Sequence, residues 1–168
     1  MDAVPGLDVQ PGLIAGELTE VAVDTLNDGT WSGDMPQNAG LAAVNDGETS
    51  ENANNCARGP NPGGSIGEIV IDWGAGNEKI IAAFEWFGPN DADLFDGGTG
   101  TIEVFGSTDD FSTSNVELFS ETGIAEPGSG GTIQRDLSVT TTPYRYHKWE
   151  ISSGGKPLCA ELEMTELV

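Results

Sequence analysis

The sequence predicts an all-β protein built as a sandwich of antiparallel sheets. Three observations carry that expectation. From residue 66 onward, apolar and polar residues alternate over seven or eight short segments, the period-two pattern of half-buried strands. Clusters of Gly, Asn and Asp separate these segments as turns. Gly makes up 24 of 168 residues, about twice the usual ~7% share, which favours turns over helices.

In chain order, residues 1–16 read as an extended arm, because Pro5, Gly6, Pro11, Gly12 and Gly16 interrupt any periodicity. Such an arm needs a surface to lie on, either its own domain or a neighbouring subunit. The globular domain is expected to span 17–168. Residues 18–26 fit a helical face through Leu18, Val21, Ala22, Thr25 and Leu26, or a strand through Val21 and Val23. The Asn27-Asp28-Gly29 turn that follows favours the strand. A long polar region then runs to residue 66. Ile69, Ile71 and Trp73 alternate with Glu68 and Asp72. Lys79 to Phe87 is apolar on both faces, as in a central strand. Ile102 and Val104 alternate with Thr101 and Glu103, Val116 and Leu118 follow, and Ile133, Leu137 and Val139 alternate with Gln134, Asp136 and Ser138. Tyr144 to Ile151 is a further strand. In the last one Ala160, Leu162 and Met164 alternate with Glu161, Glu163 and Thr165.

Charge narrows the range of partners. There are 28 acidic and 6 basic residues, a net charge of −22. Free nucleic acid and anionic membrane surfaces are excluded as partners, since both require clustered Lys and Arg. No apolar stretch approaches the ~18 residues of a membrane span. The N-terminus, Met1-Asp2-Ala3-Val4-Pro5, has neither the basic residue nor the apolar run of a secretory signal. The chain is therefore expected to be made in a cytoplasm, with an extracellular site as the alternative.

Several residue patterns invite chemistry. Cys56 and Cys159 either pair across 103 positions or stay as separate buried thiols. Asp91, Asp93 and Asp96 before Gly97 form a D-x-D-x-x-D-G run of hard oxygen ligands suited to calcium, or a solvated acidic loop. Gly63-Gly64-Ser65-Ile66-Gly67 matches the G-x-S-x-G nucleophile pattern, but a Pro/Gly loop precedes it and a strand follows, the wrong context for an elbow. Glu and Asp pairs are abundant, yet no spacing singles out a glycosidase pair. His147, the sole histidine, shares a strand face with Arg145, Trp149 and Ile151; with Arg145 it would suit a pair of sugar hydroxyls, or it packs at the core edge. Trp73, Trp86 and Trp149 belong to strong strands and read as core. Trp31, after a turn, is the best candidate for stacking on a sugar.

Five segments in order carry a family resemblance: the Asn45-Asp46-Gly47 loop, Ile-Val-Ile-Asp-Trp-Gly at 69–74, an aromatic-rich strand after it, Ile-Glu-Val-Phe-Gly-Ser-Thr-Asp-Asp at 102–110, and Tyr-Arg-Tyr-His-Lys-Trp-Glu-Ile at 144–151. Together they resemble the galactose-binding-like jelly rolls, including the discoidin or coagulation-factor type C modules, over about residues 40–167. The ending Cys-Ala-Glu-Leu-Glu-Met-Thr-Glu-Leu at 159–167 also looks like the last strand of such modules in bacteriophage structural proteins. The resemblance implies a non-enzymatic jelly-roll β-sandwich that binds ligands through loops at one end. It also implies a calcium near the Asp-Gly loop, held largely by backbone carbonyls, which maps to Asn45, Asp46, Gly47, Glu48 and Thr49. The family's Trp after this loop is replaced by the Asn52–Cys56 region, and the cysteine and arginine motif of fucose-binding members is absent from Asn90 to Gly98.

The expected role is that of an accessory structural protein displayed on a virus particle, a phage capsid decoration or tail component. Its partners would be other virion proteins, or copies of itself engaged through the arm. A carbohydrate-binding module for surface glycans is the alternative.

Overall fold

The computed structural model describes residues 20–22, 29–35, 37–38, 40–60, 66–95, 98–137 and 141–168. The expected arm at 1–16, Asp96, and Gly63 to Ser65 of the G-x-S-x-G pattern lie outside them. Twelve strands appear among the described residues: β1 (Glu20–Ala22), β2 (Thr30–Ser32), β3 (Gln37–Asn38), β4 (Ala57–Arg58), β5 (Gly67–Asp72), β6 (Ile81–Phe87), β7 (Thr99–Ser107), β8 (Val116–Ala125), β9 (Thr132–Asp136), β10 (Tyr146–Ser153), β11 (Leu158–Cys159) and β12 (Glu161–Leu167). One 3-10 helix, Gly40–Asn45, interrupts the polar region.

Two sheets make the sandwich and a third closes one corner. Their orders are β1-β12-β6-β9, β2-β5-β10-β7-β8 and β11-β4-β3. Every pairing between named strands is antiparallel. The all-β jelly-roll class expected from sequence is thus the observed one. The doubly apolar segment is β6, flanked on both sides by β12 and β9. Four short strands, β2, β3, β4 and β11, are only two or three residues long, too short to show alternation; long-range neighbours supply their hydrogen bonds.

The core lies between the two large sheets. Ile69 and Ile71 of β5, Ile102 and Val104 of β7, and Trp149 and Ile151 of β10 face Phe84 and Trp86 of β6 and Leu162 and Met164 of β12. The Phe84 ring meets Trp149 and Phe119 edge-on, with centroids 6.5 and 5.7 Å away. Trp86 donates its Nε1–H to the Leu158 carbonyl at 2.9 Å, tying the small sheet to the large one. The expected core tryptophans 73, 86 and 149 are all buried. Gly33 of the turn after β2 has φ of 137°, and a Cβ there would stand 2.1 Å from the Glu68 carbonyl oxygen, so only glycine lets the chain pass β5 this closely.

Among the described residues, three polar or charged side chains are buried: Ser107, His147 and Glu161. Glu161 departs from expectation, because the alternation of the last strand puts it outward. Instead the first two residues of β12, Glu161 and Leu162, are both buried. The segment after the 3-10 helix covers the outer side of β12 at this end, and its amides of Asp46 and Gly47 reach the carboxylate.

Candidate functional site

Four chain segments gather at the end of the sandwich where β6 finishes and β7 begins: residues 46–56, 88–95, 126–131 and 154–160. Register places them together. Phe87 pairs with both Glu161 and Thr132, Thr99 with Ala125, and Ser153 with Gly100. Cross-segment hydrogen bonds then lock the rim. The Asn90 amide donates to the Glu51 carbonyl at 2.8 Å, and Asn90 Nδ2 to the Ser50 carbonyl at 2.5 Å. Ala53 N–H donates to Asp91 Oδ1 at 2.6 Å. Gly130 N–H donates to the Pro89 carbonyl at 2.7 Å, and Leu158 N–H to the Leu94 carbonyl at 2.9 Å. Asn54, Asn55, Asn90, Asp91 and Asp93 are exposed along it, with Arg58 and Lys156 half-buried beside them. Short amides and carboxylates on a fixed backbone suit a ligand rich in hydroxyls, because the ordering cost of binding is already met within the fold.

The acidic part of the rim centres on Glu161. Its carboxylate accepts from Gly47 N–H at 3.1 Å and Asp46 N–H at 3.3 Å. Burial pushes its pKa up to about 7; the two amide bonds act against that rise, and the charges of Asp46 and Glu163 add to it. Glu51 is also raised, by burial and then by the charges of Asp46 and Glu48, and its Oε2 is buried without a partner. Asp46 Oδ1 accepts from Glu48 N–H at 2.9 Å. Glu48 takes both the amide and the hydroxyl of Ser50, which lowers its pKa.

This donor set fits the calcium chemistry that the family resemblance implies. It is all oxygen, it contains a buried carboxylate oxygen with no partner, and it crowds negative charge that a dication would offset. Among the described residues no three metal-binding side chains converge on one point. A cation here would therefore draw on Glu161, Glu51 or Asp46 and on main-chain oxygens. Glu161 and Glu51 are not among the acids that the sequence singles out. Their signal was faint: a carboxylate at the start of an otherwise apolar strand, and one more acid in a polar loop. The other expected calcium run is not assembled. Asp91 serves as the tie to Ala53, Asp93 is exposed, and Asp96 lies outside the described residues.

The expected sugar contacts, Trp31, Arg145 and His147, do not reach this rim. His147 is fully buried in β10, its ring surrounded by Trp73, Tyr144 and Trp149. Its Nδ1 accepts the Trp73 Nε1–H at 2.9 Å, and burial pushes its pKa down to about 3, so the ring is a neutral core element. This corrects its reading as a ligand residue and removes it as a base for the Ser65 pattern. Arg145 sits at the opposite end, where β5 finishes, in a bidentate pair with Asp72 at 2.7 and 2.8 Å and over the Tyr146 ring at 4.8 Å. Trp31 pairs with Ile71 across β2 and β5 and packs half-buried on the core, with its Nε1 covered.

The disulfide considered between Cys56 and Cys159 is not formed; both are free, buried thiols. Register explains it. Cys159 lies opposite Ala57, one residue out of step with Cys56, so alternation sends the two side chains to opposite faces of the ladder. Accordingly, Cys159 joins the main core, and Cys56 packs with Leu158 and Ala160 in a separate cluster. Burial raises both thiol pKa values, Cys56 to about 11, which leaves them unreactive.

The architecture is an antiparallel β-sandwich jelly roll with loops gathered at one end. Among solved structures, the chain is similar to the family 32 carbohydrate-binding module of NanJ from C. perfringens in complex with galactose. The TM-score is 0.65 at 12% identity, over 88% of this chain and 100% of that one. It is also similar to CBM62 of Xyl5A from Clostridium thermocellum, with TM-score 0.62, 20% identity, and 83% and 94% coverage. A fucolectin from striped bass, Morone saxatilis, gives TM-score 0.62 at 14% identity over 92% of this chain and 48% of that one. No protein-family model matches the chain, and no curated protein sequence matches it. The expected resemblance to phage proteins is not shown by these neighbours. No helix among the described residues is long and apolar enough to cross a membrane.

Proposed function

We propose that this chain is a non-catalytic carbohydrate-binding module whose ligand meets the rim formed by residues 46–56, 88–95 and 154–160. The observation that carries the reading is the cross-tied rim itself: loops fixed by Asn90 and Asp91 at one end of a sandwich similar in fold to carbohydrate-binding modules. A calcium ion seated at Glu161, with Glu51 or Asp46, would hold the 46–52 segment as part of that wall. No observation in the structure favours the virion role.

The test is a glycan array, followed by calorimetry with the sugars it selects and with galactose and fucose. The parent protein is expected to bind, Asn90→Ala and Asp91→Ala to weaken binding, and Arg145→Ala, at the far end, to leave it unchanged. Absence of any sugar-specific binding by the parent refutes the reading, as does loss in Arg145→Ala with retention in both rim variants.

A further inference from the structure

We infer that Glu126 is the positioning residue for the 88–95 wall of the rim, an inference that rests on the carbohydrate-binding reading of that rim. Glu126 follows the last residue of β8 and is half-buried. Its two carboxylate oxygens are divided between consecutive amides of the facing segment: Oε1 accepts Leu94 N–H at 2.8 Å and Oε2 accepts Phe95 N–H at 2.7 Å. Its own amide donates to the Gly98 carbonyl at 3.2 Å. One residue therefore grips the β6–β7 connection at three points, none of which belongs to a strand ladder.

The two gripped residues are otherwise held in different ways. The Phe95 ring is fully buried against β7, where Gly100 leaves room for it; a Cβ at Gly100 would stand 2.2 Å from the ring. The Leu94 carbonyl accepts Leu158 N–H from the next segment. Asn90 and Asp91, four and three residues before Leu94, carry the rim's exposed polar groups. Without Glu126 the Leu94 and Phe95 amides lose charge-assisted partners, and no helix or sheet replaces them. The wall that presents Asn90 and Asp91 would then sample many shapes, and the ordering cost would fall on binding.

Glu126→Ala, Glu126→Gln and Glu126→Asp test this. Gln keeps one acceptor oxygen, Asp is too short to reach, and Ala removes the grip. Hydrogen exchange in the free protein is expected to quicken at Leu94 and Phe95 by about tenfold or more in Glu126→Ala while β10 amides stay protected. Galactose or fucose affinity, whichever the parent shows, is expected to fall in the order parent, Gln, then Asp and Ala, at a temperature where all remain folded. Unchanged exchange at Leu94 and Phe95 overturns the grip; unchanged sugar affinity in Glu126→Ala overturns the positioning role. If the parent binds neither sugar nor any glycan on the array, the carbohydrate reading fails, and exchange still decides whether Glu126 holds the wall.

Discussion

His147 makes the stability of this protein sensitive to acid in a defined window. Burial holds its folded pKa near 3, against 6.5 for the free side chain. Between those values the unfolded chain takes a proton that the folded chain refuses, so stability from this group is complete above pH 6.5 and is lost as pH falls toward 3. At pH 5 the unfolded state is favoured by one and a half pKa units' worth of binding, about 2 kcal/mol. For a domain of this size that corresponds to roughly 4–8 °C in Tm. Other groups titrate over the same range, so the comparison must be between parent and variant. His147→Gln removes the titration while leaving a polar group near Trp73 Nε1, and any constant cost of the substitution cancels between the two pH values. The assay is urea unfolding at pH 7 and pH 5 in the presence of a chelator. The parent is expected to lose about 2 kcal/mol more than His147→Gln on acidification. Equal losses in the two proteins would show that the imidazole is solvated or protonated in the folded state, and the buried-core assignment would fall.

Three further outcomes follow from the same structure. Calcium chloride is expected to raise the Tm of the parent over its value in chelator and to leave Glu161→Gln unmoved; binding at a hundredfold excess over Kd adds about 2.7 kcal/mol, and no shift in the parent removes calcium from this site. Gly100→Ala is expected to cost about 1–3 kcal/mol by overpacking, because the ring it strikes, Phe95, is fully buried; differential scanning fluorimetry reads the loss, and an unchanged Tm would mean that Phe95 has room to move. Salt is expected to stabilise the fold. Glu85 and Glu163 lie directly opposite one another across β6 and β12, at a separation shorter than the ~10 Å Debye length at 0.1 M and longer than the ~3 Å at 1 M. Melting in potassium chloride over that range should show a rising Tm, with Glu85→Gln raising the low-salt value and flattening the slope; a flat curve in the parent contradicts it.

Local pattern alone reaches the seven longer strands, the central place of β6 and the burial of Trp73, Trp86 and Trp149, because period-two alternation and near-continuous apolar runs record which faces meet the core. It misses β2, β3, β4 and β11, whose two or three residues carry too little pattern to register and whose hydrogen bonds come from chain segments far away in sequence. The acids of the Asp46 loop are legible as calcium candidates, and only the tertiary structure shows which groups they face. Glu161 stands in an outward register and is buried only because another segment folds over it. His147 sits in an inward register and is fully buried. The disulfide question is settled by a one-residue offset between β4 and β11. Glu126 is one acid among 28 until the fold lays the Leu94 and Phe95 amides against it. Strand periodicity is a property of neighbouring residues and can be read along the chain. A rim is a property of loops, whose partners are chosen by how the sheets stack, and that choice is visible only in three dimensions.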